Sequence, residues 1–404
     1  MLNALARLAQ RAATFLVAFG TACAHNPSST SVRMSAAAAA PTSTILDDTV
    51  AKVLDRALVD SAFPAAIAVV GTRAGVLVER AVGHIDWAGS PAPNDHTLWD
   101  IASLTKVTGM TTAMMQLVEQ GKIDLDAPLQ RYIPEWTGPN KERVTVRHLL
   151  THSSGLPAFK AYDKITTNAD SIAKLMFATP LDTVPGARMV YSDIGAYMLG
   201  RLVERVSGET LDQYVVRHVF QPLGMNETRY NPPADWIGRI APTEIDPLRG
   251  GKVRGKVHDE RAYYLGGVSA HAGIFSSAHD LARLARMYLN GGTLDGVRVV
   301  RPETIERFTT IQDSTFSNRA LGWEKPTGRN SAGHLMSSRA FGHTGFTGTS
   351  IWIDPSRDLF VILLSNRVNP TRENNRIGGV RIALADAVVG TVDRLRSTTQ
   401  PASR

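Results

Sequence analysis

Apolar positions recur in two different rhythms along the chain. Residues 66–71 and 76–82 are short runs rich in β-branched residues, joined around Ala74-Gly75, and they predict two strands of a hairpin. Near the other end, 349–353 and 359–364 repeat that pattern on either side of a Pro355-Ser356-Arg357-Asp358 turn. Between and around these strands the period lengthens to that of a helix. Val50, Val53, Leu54 and Leu58 fall on one stripe, with Asp48 or Thr49 as its cap. Val107, Met110, Met114, Leu117 and Val118 form a second stripe, and 281–289 a third, stopped by Asn290-Gly291-Gly292. From about 126 to 239 the pattern is mostly helical, punctuated by Pro and Gly, and a last helix is expected from 377 to 395. The prediction is an α/β chain whose two ends share one antiparallel sheet flanked by helices, with a helical lobe inserted at about 107–250. A site would sit where the two parts meet.

With 404 residues there is ample length for a core. The net charge of +7 would suit an anionic partner, yet Lys and Arg are scattered, without runs or interleaved aromatics. That distribution argues against nucleic acid and is compatible with anionic envelope material. At the start, Arg7 and Arg11 precede the apolar residues 12–19 and the small residues Gly20-Thr21-Ala22, which is the layout of a signal peptide over 1–22. This apolar core is too short for a permanent membrane span. Cys23 is the only cysteine, so no intrachain disulfide can form. Its position resembles a lipoprotein cleavage site, which would tether the protein to a membrane. Residues 23–45, rich in Ala, Ser, Thr and Pro, are expected to be a flexible tether, and 396–404 a disordered tail. The folded domain would span 46–395, in an exported protein that is periplasmic or lipid-anchored in the cell envelope.

The chemistry begins at Ser103-Leu104-Thr105-Lys106. On a helix, residues three apart share a face, so the Lys106 amine can stand beside the Ser103 hydroxyl. A serine hydroxyl is a poor nucleophile until a neighbour takes its proton. Ser171-Ile172-Ala173-Lys174 has the same spacing, and only context separates the two. Tyr191-Ser192-Asp193 follows Ser103, and Gly342-His343-Thr344-Gly345 opens an apolar segment further on.

Serine–Lys, then Tyr, then a basic residue–Thr–Gly on a strand is the order of the penicillin-recognising serine enzymes. Over about 45–395 the chain resembles the class C β-lactamase-like family, which includes β-lactamases, DD-carboxypeptidases, D-aminopeptidases and short-chain esterases. The stretches 97–106 (TLWDIASLTK), 144–157 and 265–277 carry the resemblance further. Residues 251–292 resemble a branch acting on cell-wall fragments. The resemblance implies a β-lactamase/DD-peptidase-like fold and a covalent acyl-enzyme without cofactor or metal. It makes Ser103 the nucleophile, Lys106 a base or electrostatic partner, and Tyr191 the phenol that shuttles the proton once nearby cations, with Lys106 and His343 as the sources, favour its ionised form. It places His343, Thr344, Gly345, Phe346 and Asp193 around the substrate. The N–H groups of Ser103 and Phe346 would form the oxyanion hole, and Gly345 would keep the strand open to a substrate backbone.

Two departures matter. Asp193 stands where much of the family has Asn, and an added carboxylate would hold Lys106 charged, favouring Tyr191 as the base. His343 stands where β-lactamases have Lys, and a neutral imidazole attracts a carboxylate less than an ammonium does. The expected substrate is therefore a short ester or amide, with a cell-wall peptide fragment among the candidates. A DD-carboxypeptidase or peptidoglycan amidase is the alternative, with a β-lactamase ranked behind it. Outside enzymes, a β-lactam-binding sensor would share the motif but would require a membrane helix. His148 and His152, four apart, lack a further ligand at zincin spacing. His152 is expected to hold a loop, while His258, Asp259, Glu260 and His271 could be either pocket-lining or structural. Asp124 and Asp126 suit a turn, and no Gly-x-Ser-x-Gly elbow occurs.

Overall fold

The computed structural model describes residues 36–399 except 88, 316 and 329. The expected signal peptide, Cys23, the first part of the tether and residues 400–404 lie outside the described residues.

Five antiparallel strands form the main sheet. Their order is Phe341–Thr344, Ser350–Asp354, Leu359–Ser365, Ala65–Thr72 and Gly75–Gly83. The two ends of the chain meet in the centre, where Ala66 pairs with Ser365 and Gly71 with Phe360. Period-two alternation then divides the core. Ala66, Ala68 and Val70 pack with Leu46, Val50, Leu54, Leu384 and Val388 from the terminal helices Ala36–Val59 and Ile377–Thr399. Ile67 and Val69 face the opposite way, into a larger core with Leu281, Leu284 and Met114. The helix Ala278–Leu289 lies across that second face, its start capped by Ser277. The α/β arrangement read from periodicity is the one observed.

Two boundaries differ from expectation. The first helix already includes Ala36, the first described residue, so the end of the expected tether is helical, an outcome that the good helix former Ala favours over residues 36–40. The last helix continues to Thr399, past the expected limit of 395. Among the described residues no helix is long and apolar enough to cross a membrane.

The inserted segment supplies the helices Thr111–Glu119, Ala169–Ala178 and Asp193–Ser207. A small three-stranded sheet joins it to the rest, with Ile274–Ser276 between Trp99–Asp100 and Arg229–Tyr230. Trp99 and Asp100 lead directly into Ser103.

Candidate active site

Ser103 sits on a strained turn. Ala102 has φ of 46°, a left-handed value that a non-glycine residue avoids, and it is buried. Three groups hold the turn. The buried Asp100 carboxylate accepts the Ala102 N–H at 2.8 Å and the His258 N–H at 2.6 Å. Thr347 donates its hydroxyl to the Asp100 carbonyl at 2.6 Å, and Thr349 donates to the Ile101 carbonyl at 3.0 Å. Burial pushes the Asp100 carboxyl up, against the N–H groups and His258 that favour its charge. After the turn, Lys106–Met110 winds as one wide π-type turn before the regular helix Thr111–Glu119, a feature frequent at functional sites.

Lys106 is 1 % exposed and uses all three ammonium protons. It donates to Ser103 Oγ at 3.1 Å, to Asp193 Oδ1 at 2.8 Å and to the His271 carbonyl at 2.9 Å. Burial works against the charge, but Asp193, with Tyr191 adding to it, outweighs burial and holds the amine above its ordinary value. Asp193 answers in kind. Burial would raise it, yet Lys106, His271 and Arg261 hold its carboxyl well below the usual range. Its second oxygen accepts from Arg261 Nη2 at 2.8 Å. Asp193 does not cap its helix. That task falls to Ser192, whose hydroxyl accepts the Gly195 N–H at 3.1 Å.

Tyr191 lies beside this pair, with Lys106 Nζ 4.9 Å from its ring centroid. The Tyr191 hydroxyl is buried without a hydrogen-bond partner. His152 and His343 flank the ring, at centroid distances of 4.5 and 5.8 Å. His152 Nδ1 accepts the Ser192 N–H at 3.0 Å, and its carbonyl accepts from Val190 N–H, so it braces the Tyr191 loop as expected. His343 donates from Nδ1 to the Thr344 carbonyl at 2.8 Å, leaving Nε2 buried and unpaired. Burial first, then the charges of Arg319 and Lys106, hold both imidazoles well below their ordinary value, so both are neutral.

The pocket beside Ser103 encloses about 250 Å³. Tyr191, Asp193 and Phe346 line it with Ser103, whereas His343, Thr344 and Gly345 are not among its lining residues. His343 instead packs beside the Tyr191 ring. A Cβ at Gly345 would lie 2.1 Å from Thr349 Oγ1 and 2.4 Å from the Ile101 carbonyl. What this glycine keeps open here is the seat of the Ser103 turn. The strand edge is itself partly taken, because Gly342 exchanges both backbone hydrogen bonds with Glu324.

Several lining residues were ambiguous or invisible in the sequence. His258, Asp259, Glu260 and His271 all reach the pocket, joined by Arg261, Arg372 and Phe159. Asp259 caps the short helix Glu260–Tyr264, takes His271 Nε2–H at 2.9 Å and pairs with Arg261 at 2.9 Å. His271 Nδ1 accepts from Ser269 at 2.6 Å. Glu244 ties His258 and Arg372 together. The cue in the sequence was the polar run His258-Asp259-Glu260, with His271 following it. The second Ser-x-x-Lys is not drawn in, because Ser171 follows the Asn168 cap of its helix and Lys174 is exposed. His148 completes a capping box with Thr145, and Asp126 pairs with Arg147. Glu227, His279 and Asp280 bring donor atoms within 4.8 Å of one another, but none of them lines the Ser103 pocket.

A serine, a buried lysine and a tyrosine converging on a small pocket at the edge of this sheet define a serine hydrolase. The β-lactamase family matches residues 46–385, and the chain belongs to it. An Escherichia coli K12 protein named "Putative D-alanyl-D-alanine carboxypeptidase" is 36 % identical over 303 residues, covering 67 % of this chain and 69 % of that protein. A penicillin-binding protein homologue from Caulobacter crescentus superposes with a TM-score of 0.69 at 21 % identity, over 86 % of this chain and 97 % of that one. The hydrolase EstCE1, described as having promiscuous acyltransferase activity, gives 0.70 at 20 % identity, over 87 % and 100 %. At these identities the two structures attest to the fold alone.

Proposed function

We propose that the protein hydrolyses a short ester or amide through an acyl-enzyme at Ser103. The observation that carries this reading is the hydrogen bonding of Lys106. An ammonium held by Asp193 has no lone pair with which to take a proton, which leaves the unpaired Tyr191 oxygen as the acceptor. Ser103 Oγ would attack the carbonyl carbon while its proton passes to Tyr191. The N–H groups of Ser103 and Phe346 would receive the oxyanion. Tyr191 would return the proton to the leaving group, and water would then release the acid by the reverse path. Asp193 and His343 belong to the electrostatic support of this exchange. No cofactor enters the scheme.

A pocket of about 250 Å³ suits a small acyl group, and the exposed rings of Phe159 and Phe346 offer apolar contact near its entrance. A second reading is a D-alanyl-D-alanine carboxypeptidase. The name of the Escherichia coli relative favours it, while Arg261 and Arg372 in the pocket wall are already paired with carboxylates, the first with Asp193 and Asp259 and the second with Glu244 and Glu260. With a cell-wall substrate, the amino-terminal pattern reads as export to the envelope.

Initial rates on p-nitrophenyl acetate, p-nitrophenyl butyrate, a chromogenic cephalosporin and a diacyl-Lys-D-Ala-D-Ala peptide separate these readings. Ser103→Ala should lower ester turnover by at least about 10³-fold, and Ser171→Ala should leave it intact. Loss of activity in Ser171→Ala would overturn the choice of serine. D-Alanine release outpacing ester cleavage would move the carboxypeptidase reading to first place.

A further inference from the structure

The sequence pattern offers Tyr191 two cations, Lys106 and His343, and burial leaves His343 neutral, so of the two only Lys106 brings charge to it. The structure contains a second. Arg319 lies between the helix Pro302–Thr309 and the strand Phe341–Thr344, outside every motif of the sequence. It is 6 % exposed and forms no ion pair among the described residues, and its Nε and Nη2 are buried without partners. Its Cζ stands 5.4 Å from the Tyr191 ring centroid. The backbone around it is fixed, with Arg319 N–H on Ser317 Oγ at 3.1 Å and Leu321 N–H on the Phe308 carbonyl at 3.1 Å.

Burying a guanidinium without a paired anion is costly, so the fold keeps it there against its own stability. The groups around it narrow the reason. Facing Tyr191 are Lys106 from the nucleophile segment, His152 from its own lobe, His343 from the edge strand and Arg319. Asp193, two residues along, is committed to Lys106 and Arg261. Glu324 is within electrostatic reach of Arg319 but makes no ion pair, and burial pushes its carboxyl up. Both imidazoles are neutral, so Lys106 and Arg319 are the two positive charges that face the phenol. The Tyr191 oxygen, buried and unpaired, is the group near them able to carry the compensating negative charge.

We propose that Arg319 is a positioning residue for the reaction: a fixed buried cation that favours negative charge on the Tyr191 oxygen and so prepares it to accept the Ser103 proton. The inference rests on the reading of Tyr191 as proton acceptor. In the step concerned, the Ser103 O–H bond breaks, its proton joins Tyr191 Oη, and the freed electron pair forms the bond from Ser103 Oγ to the carbonyl carbon. Arg319 touches neither substrate nor proton.

The test is the pH profile of kcat/KM for p-nitrophenyl acetate in the full chain and in Arg319→Met, Arg319→Lys and Tyr191→Phe, with folding followed by circular dichroism. Arg319→Met should move the acid limb upward by about one pH unit, since one nearby charge is removed. It should cost about tenfold near neutrality, recover at alkaline pH and leave KM unchanged. Arg319→Lys should return the limb most of the way. A loss in Arg319→Met that is uniform at every pH, or no loss at all, would overturn the proposal. Should the Met variant fail to fold, Arg319→Gln keeps polar atoms in that space and gives the same reading. Tyr191→Phe distinguishes the two levels. If it retains activity, the acceptor itself is misassigned. If it is inactive while the Arg319→Met limb stays in place, only the role of Arg319 falls.

Discussion

His152 and His343 are held neutral inside the fold, and this has a consequence for stability that can be given a sign. In the unfolded chain each imidazole titrates near pH ~6.5. In the folded chain both values lie well below that, chiefly through burial and then through Arg319 and Lys106. Below about pH 6.5 the unfolded state therefore binds protons that the native state refuses, and stability falls with falling pH. Above that value this contribution is flat. His148, lowered by burial, acts in the same direction, while His96, raised by its bond to Glu227, acts against it. The depressed Asp193 carboxyl contributes a loss only at lower pH, below its unfolded value near ~3.9. His343→Gln should therefore flatten the decline between about pH 6.5 and 5. The difference from wild type should approach about 1.4 kcal/mol per pH unit at most. Denaturant midpoints at a series of pH values measure this. Parallel profiles in the two proteins would mean that His343 titrates normally in the fold.

At the scale of the element, the turn bearing Ser103 and the turn after the edge strand are one device. Thr347 and Thr349 reach across to the carbonyls of Asp100 and Ile101, and Gly345 lets the two segments touch. Gly345→Ala would press its Cβ against the Ile101 carbonyl, a backbone atom with little freedom to move. Overpacking of this kind typically costs about 1–3 kcal/mol. Because the strain falls beside Ser103, turnover should drop more than stability does. Thermal melting together with kcat on p-nitrophenyl acetate checks this, and full activity with an unchanged melt would sink it. This device also shows where sequence reading stops. The serine–lysine pair was legible because its partners are three residues apart on one segment, and the strands because alternation is local. The grip of Thr349 on Ile101 joins residues far apart in the chain, and no periodicity encodes such a contact. Arg319 was silent for the same reason, as a lone arginine in an irregular stretch reads as surface. Gly345 was noticed in the sequence, but its close approach to Ile101 could not be foreseen.

The largest scale repeats this dependence on distant parts. Strand Ala65–Thr72 has Leu359–Ser365 on one side and Gly75–Gly83 on the other, so the centre of the sheet closes only when both ends of the chain are present. Ile67 and Val69 on one face, and Ala66, Ala68 and Val70 on the other, bury their side chains in cores that both need the carboxy-terminal strands or helix. A two-stranded hairpin alone is marginal in water. A chain ending at residue 340 keeps Ser103, Lys106 and Tyr191 yet loses three of the five strands, the Thr347 and Thr349 anchors, and the terminal helix. It should show no cooperative unfolding transition and no turnover, even though the whole of the expected helical lobe, 107–250, remains. Supplying residues 341–404 as a separate polypeptide should restore some activity, because every interaction lost is noncovalent. Calorimetry on the shortened chain decides the point. A cooperative melt there would mean that the inserted lobe folds on its own and that the sheet serves only to complete the site. Its absence, with activity returning on complementation, would mean that the nucleophile turn is held by the folding of the whole chain.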